Sequence, residues 1–147
     1  MANSTEDAFD LQRFVIAQAS TYPAALSELR SGRKRTHWMW FIFPQIDGLG
    51  SSSTAKQYAV KSLAEARQYL AHPALGPRLQ ESAQALLEID GRSALEILGS
   101  PDDLKLKSSM TLFSQVAGPG SVFEQVLVKY FAGQSDAKTL EILKRLA

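Results

Sequence analysis

Three times along the chain a serine precedes a glutamate by three residues: Ser62 with Glu65, Ser93 with Glu96, and Ser121 with Glu124. At that spacing a hydroxyl and a carboxylate can satisfy backbone N–H groups that the first turn of a helix leaves without partners. Apolar residues on either side of these points recur at intervals of three and four, and strand-type alternation is scarce. Together these patterns predict an all-α fold: a compact single-domain bundle of six or more helices, with no sheet of three or more strands.

The helix boundaries follow from local chemistry. Asp7 predicts the cap of a first helix, to about Ala19, with Leu11, Phe14, Val15 and Gln18 at helical spacing. Thr21 and Pro23 predict the cap and early proline of a second, to about Arg30, closed by Gly32. The Ser62 helix breaks at His72-Pro73, and a longer one continues to about Asp90, where Gly91 stops it. Ser100, Pro101, Asp102 and Asp103 combine a cap, an early proline and first-turn carboxylates, opening a helix to about Ala117. Gly118-Pro119-Gly120 separates it from the Ser121 helix, which runs to Phe131, and Asp136 caps a last helix ending in Lys144 and Arg145. The pattern fails only over residues 36–53, THWMWFIFPQIDGLGSSS, apolar on every side in its front half and turn-forming behind. That stretch predicts a buried, Trp-rich connecting segment, either a short helical turn or an extended plug. Residues 1–7 predict a disordered acidic tail, and residues 8–147 one helical domain.

Composition narrows the chemistry. With 147 residues the chain can bury a core of its own without a metal or disulfide staple. It has no cysteine and two histidines, His37 and His72, which leaves out thiol nucleophiles and cysteine-ligated metal sites and gives no expectation of a metal or cofactor. Sixteen Lys and Arg against fifteen Asp and Glu do not indicate nucleic acid as a partner. No run approaches the roughly 18 apolar residues of a membrane span, and the polar N-terminal stretch is unlike an export signal, so a cytoplasmic protein is expected.

Three segments could carry function. Arg30, Arg33, Lys34 and Arg35 stand directly before His37, Trp38, Met39 and Trp40, so cations that meet phosphate adjoin rings that stack on a base. The same aromatics could instead be core, but both tryptophans cannot follow one path into it, so at least one should border a cavity. Residues 48–54, GLGSSST, form a glycine turn whose N–H groups and hydroxyls could nest an anion; the lysine and spacing of a P-loop are missing. On the Asp102 helix, Leu106, Met110, Phe113 and Ala117 share a core face, while Lys105, Lys107, Ser108 and Ser109 lie around the cylinder, suited to phosphate recognition or to helix packing. His37 and Asp102 are the candidates for any proton transfer.

LQRFVIAQ from Leu11, GRKRTHWMWFIFPQIDGLGSSS from Gly32, YAVKSLAEARQYLAHPALGPRL from Tyr58, DLKLKSSMTLF from Asp103 and FAGQSDAKTLEIL from Phe131 closely resemble domain-of-unknown-function family number eighteen-ten. Some members of that family are mislabelled calpastatin. The resemblance spans nearly the whole chain and implies a compact, mainly helical, cytoplasmic protein, mostly bacterial, without an established activity. A more distant likeness, to helical enzymes acting on ADP-ribose derivatives and riboflavin intermediates, rests on architecture and a Trp-rich, Lys-containing residue set. It implies stacking on Trp38 or Trp40, with phosphate held by Arg33, Lys34 and the turn containing Gly48, Gly50 and Ser51.

The leading expectation is therefore a protein or enzyme that binds a nucleotide-like or ADP-ribose-like, phosphate-bearing small molecule; the alternative is a non-catalytic protein-interaction module. The first predicts one pocket containing His37, a residue from 48–52, and at least one of Lys105, Lys107, Ser108 and Ser109, and convergence of His37, Gln45, Lys105 and Ser109 on one cleft would separate the two readings.

Overall fold

The structure is a computed structural model that describes residues 7–147. The tail expected over residues 1–7 lies, apart from Asp7, outside the described residues. Among these, nine helices follow in order: α1 (Gln12–Ser31), α2 (Met39–Ile42), α3 (Ser53–Gln57), α4 (Leu63–Ala71), α5 (Leu75–Leu87), α6 (Ala94–Leu98), α7 (Asp102–Ala117), α8 (Val122–Phe131) and α9 (Ala137–Leu146). The fold is all-α. The only strand-like pairing among the described residues is an isolated parallel bridge, Ile46 to Val60. None of their helices is long and apolar enough to cross a membrane.

Capping works at Ser62, Ser93, Ser121, Asp7 and Asp136, and fails at Thr21, which lies inside α1, and at Ser100. Ser62, Ser93 and Ser121 each accept from the N–H three residues on. Only Glu96 returns the bond to its own serine; Glu65 and Glu124 reach one residue further back, to the N–H of Lys61 and Gly120. Asp7 accepts from the N–H groups of Leu11 and Gln12, and Asp136 from that of Thr139. Ser100 does not cap α7, whose N-cap position is Pro101 with no side-chain bond.

The first two expected helices are one. Leu11, Phe14, Gln18, Ala25 and Leu29 are buried and Tyr22 half-buried, so a single stripe at intervals of three and four runs past Pro23 without a break in phase. A proline removes one hydrogen bond from the ladder, and continuous burial of that stripe against α5 and α2 outweighs the loss.

α7 is the central helix, packed against α4, α6, α8 and α9. Residues 108–113 are buried without interruption, so α7 has no solvated face there. Ala117, expected in the core, is exposed at its end, whereas Ser109 and Thr111 are buried. Thr111 closes its hydroxyl on the carbonyl of Lys107 and accepts from the N–H of Asp136, which ties α7 to the start of α9.

The connecting segment is a plug built around one helical turn. Trp38, Met39, Ile42, Phe43 and Ile46 enter the core through α2 and its flanks. Backbone bonds from Val60 to the Gln45 carbonyl and from Asp47 to the Val60 carbonyl then fasten it to the stretch before α4. A second clamp is Arg13, which donates to the carbonyls of Phe9, Asp10, Gln57 and Ala59 and to the buried carboxylate of Glu65. These long-range bonds fix the turn at residues 47–52 relative to the helices.

Candidate functional site

Lys34 follows the end of α1, and its N–H donates to the Ile97 carbonyl at 2.7 Å, which pins this basic stretch against α6. Its ammonium lies 5.1 Å above the Trp38 ring and 3.1 Å from Asp102, the first residue of α7. One turn on, the Lys105 ammonium lies 3.5 Å from the other oxygen of Asp102 and 5.3 Å from the Trp40 ring centre. A single carboxylate thus stands between two ammonium groups, each over an indole face. The side chains of Lys34, Asp102 and Lys105 are 9%, 18% and 27% exposed. Lys34 is the closer and less exposed partner of this carboxylate, and Lys105 the more distant and more open one.

Lys105 looks into an open cleft of about 310 Å³ between the first half of α7, the start of α9 and the turn after the plug. Gln45, Ser108, Asp136 and Lys138 supply the rest of its polar lining, and Leu49, Gly50, Pro101 and Leu104 complete it. Gln45 and Gly50 also border a much smaller hollow against Trp40, Asp47 and Tyr58. Gly50 has to be glycine here, since a Cβ would lie 2.6 Å from that of Ala55. Two of the polar groups are already engaged: Ser108 bonds Thr139 at 2.9 Å, and Asp136 accepts from both the N–H and the hydroxyl of Thr139.

Glu28, which the sequence did not single out, ties the end of α1 to the stretch that leads into Trp38. Its carboxylate accepts from the Arg35 and Thr36 N–H groups, the Thr36 hydroxyl and the Trp38 indole N–H. Burial pushes its pKa up, but the hydrogen bonds from Thr36, Arg35 and Trp38 outweigh that and hold it at about 2. No short-range motif marks it, because its four donors gather only when the chain reverses at the end of α1.

A family model described as a protein of unknown function, DUF1810, matches residues 8–143. The chain belongs to this family. The crystal structure of the conserved hypothetical protein Rv1873 from Mycobacterium tuberculosis shares 52% identity with this DUF1810 chain, at a TM-score of 0.92, covering 94% of this chain and 99% of that one. No match is found among curated proteins.

The DUF1810 fold distributes the other sequence candidates as follows. Gln45, Gly50, Lys105 and Ser108 share the cleft. Lys34 and Asp102 stand behind it, paired with each other. Trp38 is 1% exposed and belongs to the core, while Trp40 is half-buried and borders the small hollow. Gly48 borders that hollow too, backed by Ile142. His37, Arg33 and Ser51 are exposed and line neither cavity, so the expected pocket containing His37 does not form; of that set only Gln45, Gly50, Lys105 and Ser108 meet, because the chain carries His37 to the surface before Trp38 turns into the core. Lys107 lies over the Phe131 ring at 6.0 Å instead of facing the cleft. Ser109 is fully buried, its hydroxyl without a partner. The serine turn has a structural use, since the Ser52 hydroxyl caps the short α3. Asp136 and Lys138 are cleft residues that sequence reasoning missed; as an N-cap and a first-turn lysine they read as ordinary helix-start chemistry. Among the described residues no group of acidic or histidine side chains could hold a metal ion.

Proposed function

We propose that this DUF1810 protein binds a phosphate-bearing small molecule of the nucleotide or ADP-ribose type, in the cytoplasm, at the cleft between α7, α9 and the turn at residues 45–50. The observation that carries this reading is Lys105, which shares the Asp102 carboxylate with a nearer lysine and lines a cleft with Gln45, Gly50 and Lys138. An anion arriving there gains a charge-assisted bond without stripping a tight ion pair. The reading is one of binding. His37 lies outside the cleft, and Asp102 holds two lysines rather than facing a ligand, so no residue is assigned a proton transfer.

A thermal-unfolding series with nucleotides and sugar phosphates tests it. A ligand at about 100 times its dissociation constant should add roughly 2.7 kcal/mol of stability, and Lys105→Ala should remove that gain. Absence of stabilisation by every phosphate compound, or equal stabilisation of the variant, would reject the reading.

A further inference from the structure

Two ammonium groups share the Asp102 carboxylate, and they are not equally free to change partner. Lys34 is fixed at both ends. Its N–H bonds the Ile97 carbonyl at 2.7 Å, and its ammonium lies 3.1 Å from Asp102 Oδ2 and 5.1 Å from the Trp38 ring centre. Trp38 is itself in the core and tied to Glu28 through its indole N–H. Lys105 meets the other oxygen of Asp102 at 3.5 Å, is the more open of the two, and lines the cleft, which Lys34 and Asp102 do not. A carboxylate that is 18% exposed has lost much of its hydration and depends on cationic partners in the protein. Among the described residues, Lys34 and Lys105 are the two cations within salt-bridge distance of it. While Lys34 is in place, an anion that draws Lys105 away leaves Asp102 with a partner. Without Lys34 the same carboxylate has Lys105 alone, and an anion reaching Lys105 has to compete with it.

We propose that Lys34 is a positioning residue of the cleft: as the standing counter-ion of Asp102, it leaves the Lys105 ammonium available to an anion that Lys34 itself does not touch. This rests on the reading of Lys105 as a phosphate contact and assigns that contact a partner behind the cleft.

A double-mutant cycle on the full chain tests it, with inorganic phosphate titrated by calorimetry at fixed ionic strength. Lys34→Gln removes the charge and keeps a donor for Asp102. Lys34→Met, which keeps the length of the side chain beside Trp38, takes its place should the first variant fail to fold. Loss of the Lys34 charge should weaken phosphate binding at least about fivefold in the wild-type background. In the Asp102→Asn background the same change should cost less than about twofold, since no carboxylate is left to capture Lys105. A cation acting on the anion through space would cost the same in both backgrounds, and so would a mere loss of packing beside Trp38. Equal effects would therefore overturn the proposal, as would an unchanged phosphate affinity when Lys34 alone is replaced. Absence of phosphate binding by the wild type would remove the phosphate site, and the proposal with it.

Discussion

At Asp102 one carboxylate holds two lysines, and they are not equivalent. Lys34 is nearly buried against Trp38, so Lys34→Ala leaves a carboxylate short of its closer partner and opens a gap beside an indole. A loss of about 2 kcal/mol is expected in urea unfolding, below the cost of breaking a fully buried pair because Asp102 keeps some contact with water. Lys105→Ala should change stability by no more than about 0.5 kcal/mol while removing anion binding. Glu28 gives the residue scale its pH dependence. Its folded pKa of about 2 lies below the usual 4.5, so the native state favours the ionised form. The resulting stability is fully present above 4.5 and is lost as pH falls toward 2. Denaturation midpoints measured across that window should fall more steeply for the wild type than for Glu28→Gln, which has no carboxylate to protonate.

Helix ends and helix crossings set the behaviour of the elements. α8 ends with Ala132 in the left-handed region, at φ 55°, where its Cβ crowds the following carbonyl. Ala132→Gly should therefore raise stability by about 0.5–1 kcal/mol, read as a higher melting temperature, because relief of that strain exceeds the added freedom of the unfolded chain. The α4–α5 joint works in the opposite sense. A Cβ at Gly76 would lie 2.1 Å from the Leu70 carbonyl oxygen, which is backbone and cannot rotate away. Gly76→Ala should cost about 3 kcal/mol or more, or prevent folding, as seen by circular dichroism. Between these elements, His72 accepts at Nδ1 from the N–H groups of Ala74 and Leu75, so a residue read from sequence as part of a joint also satisfies the start of α5.

At the scale of the molecule, one core joins every described helix except α3, which has no buried residue. Phe14, Tyr69, Phe113 and Phe123 form a continuous chain of ring contacts from α1 through α4 and α7 to α8. Trp38, in the plug, belongs to the same buried cluster. Helical circular dichroism and tryptophan fluorescence should consequently report the same urea midpoint, since no layer has a core of its own to survive the loss of the rest. Two separated transitions would show that the plug or α9 unfolds independently. Anion binding at the cleft should also weaken as salt rises, since Lys105 and Lys138 are open to screening.

The sequence by itself determined the helical class and most helix boundaries, because capping is a matter of hydrogen bonds spanning three or four residues. Ser93 and Glu96, three residues apart, close a reciprocal box within the first turn of α6. Its reach ended where partners are distant in the chain. The continuity of α1 across Pro23 depends on a stripe buried by α5 and α2, and the inward turn of Trp38 depends on Glu28 receiving its indole. The membership of the cleft is likewise a tertiary matter. Gly50 and Lys105 come together, while His37, as close in sequence to the plug as Trp38, is left at the surface. A side chain's local pattern fixes which helix it rides on; which face of that helix becomes cleft, core or solvent is decided only when the other helices pack against it.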